Sequence, residues 1–432
     1  MPYQQGSRIK TSEKANKLGH LEVVDSDFVK SLIHEFESPI VDVDKTRVAE
    51  RPIPPVDLSI DTIFAVDGSL QTVRSSASVH KEVSFVKTAL LRLSDADLNK
   101  IDKHSPHPLA LKSIMEKAAL FHSTVFPLKN VYIQGEDLKT SIRKIIFQSV
   151  DDPQFDGEIL MTLKWLSYQK WLQDTSLRSP SFSCPNCEDE ISLPYDATEG
   201  NCPICDVRVY ITDMLGFHLE MLDDSAPGII ASTYMVIHEF LLLMTGIRSY
   251  FEAQKYQLLS RCLFIKDGPL TFRGQYVKLT AASRSFFQYA KEQNISINIF
   301  GQEKTGQFVD HLQLIKDKMG NNTYFIPDGS YIRDEIQRRE ATSEYGYRTN
   351  YGNKIFVKCD EYLSLVVSIP TGEFIDTSSI DDFMCAKEVL NILEKIRSYR
   401  FEGGLFPIEL ANGIASLSTY PSAKILRLFA GI

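Results

Sequence analysis

Residues 63–70 (IFAVDGSL) and 263–270 (LFIKDGPL) are short apolar runs that each carry an Asp-Gly pair. A buried strand that finishes on an acidic residue holds its carboxylate on a rigid element at the edge of a sheet. The glycine after it lets the chain turn sharply and lets a ligand or another backbone come close. If the fold brings Asp67 and Asp267 together, the two carboxylates repel unless they share a proton or a cation. A divalent metal relieves that repulsion, and metals held by paired acids activate water against a phosphodiester. Taken singly, each Asp-Gly also fits an ordinary strand-to-turn junction.

Three further groups carry chemistry. Glu239 lies within IHEFLLL, where a carboxylate is costly to bury unless it is paired or ligates a cation. It also fits a polar stripe shared with His238, and Glu252, nearer the polar end of the same stretch, reads as solvated. Lys304 follows the strand ISINIFG in GQEKTGQF, where it fits either a point-charge contact to a phosphate or an ordinary solvated lysine. Because the lysine precedes the second glycine, the phosphate-loop spacing G-x-x-x-x-G-K-[ST] is absent, which excludes an ATP-hydrolysing reading here. Cys184-Pro-Asn-Cys187 and, fourteen residues further on, Cys202-Pro-Ile-Cys205 form two knuckles with the spacing of a zinc ribbon. Four thiolates fill a tetrahedron and leave no open position, so the zinc would be structural. Cys262, Cys359 and Cys385 stand in apolar contexts and read as core thiols. No Ser-His-Asp or Cys-His grouping with recognisable spacing occurs.

The elements that must position these groups follow from periodicity. A helix is expected from Ser26 (SDFVKSLIHEF), then a proline-rich connector over 50–56 leading into the first acidic strand. After Asp67, TVRSSASVHKEVSFVKTALLRL reads as two more strands of an antiparallel meander, the second strongly alternating. Between 95 and 180, LALKSIMEKAALF, LKTSIRKIIFQSV and ILMTLKWLSYQKWL repeat apolar residues at helical spacing, with Trp165 and Trp171 read as packing residues. Residues 229–253 predict a long buried helix carrying Glu239. The DGPL strand, a helix over YVKLTAASRSFFQYAKEQ, and the strand ISINIFG follow. KIFVKCDEYLSLVVSIP predicts two strands, and the tail predicts helices.

Composition bounds the class. The 432 residues are 43% hydrophobic and 10% aromatic, as in a folded chain of two or three domains. A net charge of −9 argues against a generally basic surface that coats nucleic acid, though not against a local basic groove. No apolar signal core opens the chain, no run approaches the roughly 18 apolar residues of a spanning helix, and the cysteines suit a reducing compartment. A cytoplasmic protein without a membrane span is expected.

Taken in order, IFAVDGS, VIHEFLLL, LFIKDGPLTFRG, NIFGQEKTGQFVDH, YGYRTNYGNKIFV, SIPTGEF and LFPIELANGIASL resemble the NurA family, nuclease partners of the hexameric HerA translocase. The resemblance covers roughly residues 57–95 and 225–432. It implies an α/β fold with an RNase H-like core, a homodimer, and hydrolysis of DNA with Mn²⁺ or Mg²⁺. In that pattern Asp67, Glu239 and Asp267 match the metal-binding carboxylates and Lys304 the lysine of the KTG segment. Where the family often has a histidine, this chain has Asn412, which can orient a ligand but cannot transfer a proton near neutral pH. The implied organisation is an N-terminal helix and connector (1–56), the first part of the core (57–95), a helical insertion (96–180), the zinc ribbon (181–212) and the rest of the core (213–432). Two functions are expected from it: a metal-dependent DNA nuclease acting with a HerA-like ATPase, or a non-catalytic dimeric docking or DNA-clamp subunit of that ATPase.

Overall fold

A mixed sheet of nine strands carries most of the molecule, in the computed structural model that describes residues 23–35, 48–57, 60–75, 80–102, 107–131, 133–222, 225–338, 344–376, 378–401, 403–417 and 422–431. Its strands, with two short hairpins between them, are β1 (Arg51–Pro52), β2 (Thr62–Arg74), β3 (Glu82–Ser94), β4 (Ala119–Lys129), the hairpins β5 (Phe182–Ser183) with β6 (Glu190–Ile191) and β7 (Glu199–Asn201) with β8 (Arg208–Tyr210), then β9 (Cys262–Asp267), β10 (Asn298–Glu303), β11 (Thr323–Phe325), β12 (Asn353–Lys358) and β13 (Ser364–Ile369). The order across the large sheet is β1-β11-β12-β13-β10-β9-β2-β3-β4. β2, β3 and β4 form an antiparallel meander, β9 runs parallel to β2, and β10 parallel to β9. Three antiparallel strands continued by two parallel ones, with the first strand in the middle, is the ribonuclease H-like arrangement. Parallel neighbours need crossovers, which helices provide here.

The helices are α1 (Asp27–Glu35), α2 (Pro108–Ala118), α3 (Leu138–Val150), α4 (Glu158–Ser167), α5 (Ile229–Glu252), α6 (Lys278–Glu292), α7 (Gln307–Ile315), α8 (Ala386–Ile392), α9 (Phe406–Ala415) and α10 (Ser422–Phe429). α1 belongs to a separate unit, Met1–Arg47, and Ser26 Oγ accepts the Val29 N–H at 3.4 Å at its start, as a capping residue does. The polar residues 1–20 lie outside the described part. All other elements belong to Val48–Ile432.

Strand alternation divides the core. Phe64 and Val66 of β2, Phe264 of β9 and Ile299 of β10 face α5 and α6, which contribute Ile237, Phe240, Leu241 and Phe286. Ile63, Ala65, Leu263, Ile265 and Phe300 face the opposite way, toward Val389 and Leu390 of α8 and Ile408 and Ala411 of α9. Trp165 and Trp171 are packing residues: both are buried, with ring centroids 4.8 Å apart. α5 is long and apolar enough to cross a bilayer by length and composition, contrary to the sequence expectation. However, 61% of its most apolar window is buried inside the protein, where it serves as a core helix.

Several elements differ from the sequence expectation. β2 does not end at Asp67; it continues through Gly68 to Arg74, so TVR closes that same strand and the stretch after Asp67 adds one new strand, β3, not two. The end of LALKSIMEKAALF leaves the helix at Ala118, and Ala119–Lys129 is instead the outer strand of the meander. The stretch 96–180 is therefore not helical throughout, because pairing of β4 along β3 outweighs the local helical spacing. Part of the proline-rich connector pairs as β1 with β11, at the sheet edge where proline is tolerated. α4 stops at Ser167, and Gln169 has a left-handed φ of 44°.

Candidate active site

The register sets the acids side by side. β2 pairs with β9 as far as Val66↔Lys266, and β9 pairs with β10 as far as Asp267↔Gln302. Asp67, Asp267 and Gln302 therefore occupy neighbouring positions on three adjacent strands. Alternation puts all three on the face of Ala65 and Ile265, below α9. Asp267 is the end of β9, as the sequence predicts, and Gly268 turns the chain there with φ +88°. Asp67 is where β2 loses its parallel partner while keeping its antiparallel one.

Four of the five predicted site residues meet on this face. Lys304, directly after β10, donates to Asp267 Oδ2 at 2.7 Å. Asp67 Oδ1 accepts the Gly68 N–H at 2.7 Å, while Asp67 Oδ2 is buried with no hydrogen-bond partner. Burial and the Asp267 carboxylate push Asp67 up to about 6, against the pull of the Asn412 amide, the Gly68 N–H and the Lys304 ammonium. Asn412 reaches the site from α9.

Glu239 comes from the other face. It is buried on α5, so the reading of a polar stripe with His238 fails: His238 is also buried and shares a 2.8 Å hydrogen bond with Thr88. Glu252 is the solvated rival, paired with Arg248 at 2.6 Å. Glu239 Oε2 lies 3.2 Å from Lys266 Nζ, and the same ammonium donates to the Asp267 carbonyl at 2.7 Å. Burial raises Glu239 to about 7; Lys266 opposes this, and Asp67 and Asp267 add to it. The carboxylate can approach β2 because residue 68 has no side chain. A Cβ there would lie 2.5 Å from Glu239 Oε1 and 2.5 Å from Met235 Cγ. Gly68→Ala is accordingly expected to destabilise the fold by about 1–3 kcal/mol, as overpacking does, visible as a lower midpoint in urea.

The three carboxylates are looser than a preformed cage. Among the described residues the four cysteines are the group whose ligand atoms all lie within 4.8 Å of one another. Still, an orphaned buried carboxylate oxygen beside a second carboxylate is a donor set of the type hard cations take. Asp67 and Asp267 would hold such an ion, with Glu239 behind the strand. Sequence reasoning passed over Lys266 and Gln302, both polar residues inside apolar strand runs (LFIKD and NIFGQ). That position was the available signal, because a buried charge or amide there needs a partner.

The cysteine quartet has the geometry of a thiolate site. Cys184 and Cys205 Sγ are 3.6 Å apart, and Cys187 and Cys202 Sγ are 3.7 Å apart. Zn–S bonds of about 2.3 Å place tetrahedral sulfurs roughly 3.8 Å apart, so the quartet fits zinc. The knuckles are built alike. The Cys184 N–H donates to Asp189 O and the Cys202 N–H to Val207 O, and Glu188 and Asp206 take left-handed φ at matching places. Arg143 of α3 secures the module, donating twice to Asp213 at 2.8 and 2.7 Å and once to Arg208 O at 2.7 Å.

No family model and no curated protein matches the sequence. Among solved structures, the chain is similar to the NurA nuclease from Sulfolobus solfataricus, with 10% identity over 98% of this chain and 97% of that chain at a TM-score of 0.33. It is also similar to another NurA structure (11% identity, 98% of both chains, TM-score 0.27) and to NurA bound to dAMP and manganese (10% identity, 98% of both chains, TM-score 0.22). Superpositions this loose, at such identity, are no argument for a shared activity.

Proposed function

We propose that the protein is a metal-dependent DNA nuclease that hydrolyses phosphodiesters at Asp67 and Asp267. The observation that carries this reading is the buried, unpartnered Asp67 Oδ2 beside the Asp267 carboxylate, on adjacent strands of a ribonuclease H-like sheet. A bound Mn²⁺ or Mg²⁺ would supply an activated water and stabilise the leaving oxygen. Asp67 and Asp267, together with Glu239 approaching from the α5 side, would hold the ion, and Lys266 offsets part of the Glu239 charge. Lys304 steadies the substrate phosphate once it exchanges Asp267 for that partner. Asn412 orients a water or a phosphate oxygen without moving a proton. With a net charge of −9 the chain does not gather DNA by its overall field. We therefore place it with a HerA-like hexameric ATPase that feeds it DNA, as a cytoplasmic homodimer, in processing of DNA ends or defence against phage DNA.

One observation favours a second reading, a non-catalytic docking or clamp subunit. Lys266 and Lys304 already neutralise Glu239 and Asp267. The test is cleavage of linear DNA with Mn²⁺, with and without a HerA-like ATPase, beside Asp267→Ala. Mn²⁺-dependent cleavage that Asp267→Ala removes is the expected result. Cleavage that survives the substitution sinks the site, and none under any condition selects the docking subunit.

A further inference from the structure

A cavity of about 530 Å³ opens directly beside the acids, and it shares Lys304 and Asn412 with them. Its floor is the end of β10 and the start of β13, one wall is α7, and the other is α9 with Phe401 and Gly403, Gly404 and Leu405. The volume lies within the range of small-molecule sites. The lining combines apolar side chains such as Leu312 and Leu365, charged ones (Lys304, Lys316, Glu303, Glu361 and Glu409) and two solvent-exposed aromatic rings, Phe401 (58% exposed) and Tyr362 (71% exposed).

These rings are held out by braced loops. Asp360 accepts the N–H groups of Tyr362 and Leu363, both at 2.8 Å, and pairs with Arg397 at 2.5 Å. On the other side, Ser398 and Arg400 both bond Glu409 of α9, at 2.6 and 2.7 Å. The hairpin bearing Tyr362 and the loop bearing Phe401 are thus tied to each other and to the helix that carries Asn412. Gln302 provides an independent sign of a ligand. It lines the cavity and is 1% exposed; its Nε2 donates to Gly403 O at 2.5 Å, while its Oε1 has no partner. A buried acceptor without a donor is costly, and a ligand N–H removes that cost.

A charged end at Lys304, apolar walls, two exposed rings and a free amide acceptor match one ligand class. We propose that this cavity is a nucleoside subsite, taking the base and sugar of the nucleotide that adjoins the cleaved phosphate. The base stacks on Phe401 and Tyr362, and an exocyclic amine or ring N–H donates to Gln302 Oε1. Stacking tolerates any base, so the subsite grips a splayed single-stranded end without selecting sequence. This inference rests on the nuclease reading, because the phosphate it positions is the one at Asp67 and Asp267.

The test separates the two. Binding of a short fluorescent single strand, and of the same strand with abasic sites, is measured by anisotropy with Ca²⁺ for the full chain and for Phe401→Ala and Tyr362→Ala. Cleavage with Mn²⁺ is measured in parallel. Each substitution is expected to weaken binding of the intact strand about tenfold, the scale of one lost stack, and to leave the abasic strand unaffected. Both side chains are exposed, so folding is not at issue. Variants that bind like the wild type, or a wild type that does not distinguish intact from abasic strands, overturn the subsite even if the protein cleaves. Ring-dependent binding without cleavage, both with and without a HerA-like ATPase, keeps the subsite and removes the nuclease.

Discussion

Asp67→Asn is expected to lose at least about a thousandfold in Mn²⁺-dependent DNA cleavage while making the metal-free protein more stable. The loss follows if Asp67 holds the ion as proposed, since stabilisation by several kcal/mol at a reacting phosphate corresponds to that factor. The gain in stability follows from burial. The folded chain keeps a proton on Asp67 up to about pH 6, whereas the ordinary value is 3.8. Stabilisation from this extra proton uptake is complete below the unfolded value and is lost as pH rises through about 6. At pH 8 the ionised, buried Asp67 therefore costs roughly 3 kcal/mol, which the neutral amide avoids. For a chain of this size that is about 2–4 °C in melting temperature, absent near pH 3 and full at pH 8. The variant melting below wild type at pH 8, with metal chelated, would contradict the electrostatic account of the site. Loss of function coupled to gain of stability is the mark of a strained functional group, and a structural acid would show neither.

If the cysteine quartet holds zinc, as its geometry allows, removing the metal is expected to have the second large effect. Purified protein is expected to carry about one zinc per chain, and strong chelation or Cys184→Ser to melt residues 181–212. Structural zinc contributes on the order of 10 kcal/mol to such modules, which have almost no core of their own. Here the damage spreads, because Cys184, Cys202, Phe182, Ile191 and Val209 belong to the same buried cluster as Trp165 and Ile237 of α5. New proteolytic cuts within the ribbon, together with a lower melting point for the whole chain, are the measurements to make. A metal content well under one zinc per chain rejects the assignment, and chelation that leaves the ribbon resistant to protease shows it to be held by Arg143 and packing alone.

What was legible in the sequence was whatever rests on local chemistry. CxxC spacing specifies a tetrahedral thiolate site almost without reference to the rest of the fold, and the quartet does converge. The apolar run of α5, the Asp267-Gly268 turn and Lys304 after β10 were legible for the same reason: periodicity and a positive φ are properties of a few neighbouring residues. The strand Ala119–Lys129 was not legible, since its pairing with β3 is non-local and overrides helical spacing. Nor was the true place of Asp67, which sits inside a strand that continues to Arg74. By itself the sequence determined which residues could hold charge and metal. Only the tertiary structure decided that Asp67, Asp267 and Gln302 share a row while Glu239 approaches from behind. The physical reason is that a sheet's register and the face each side chain takes depend on which strands pair, and on a missing Cβ at Gly68 that lets one carboxylate lie close against the backbone.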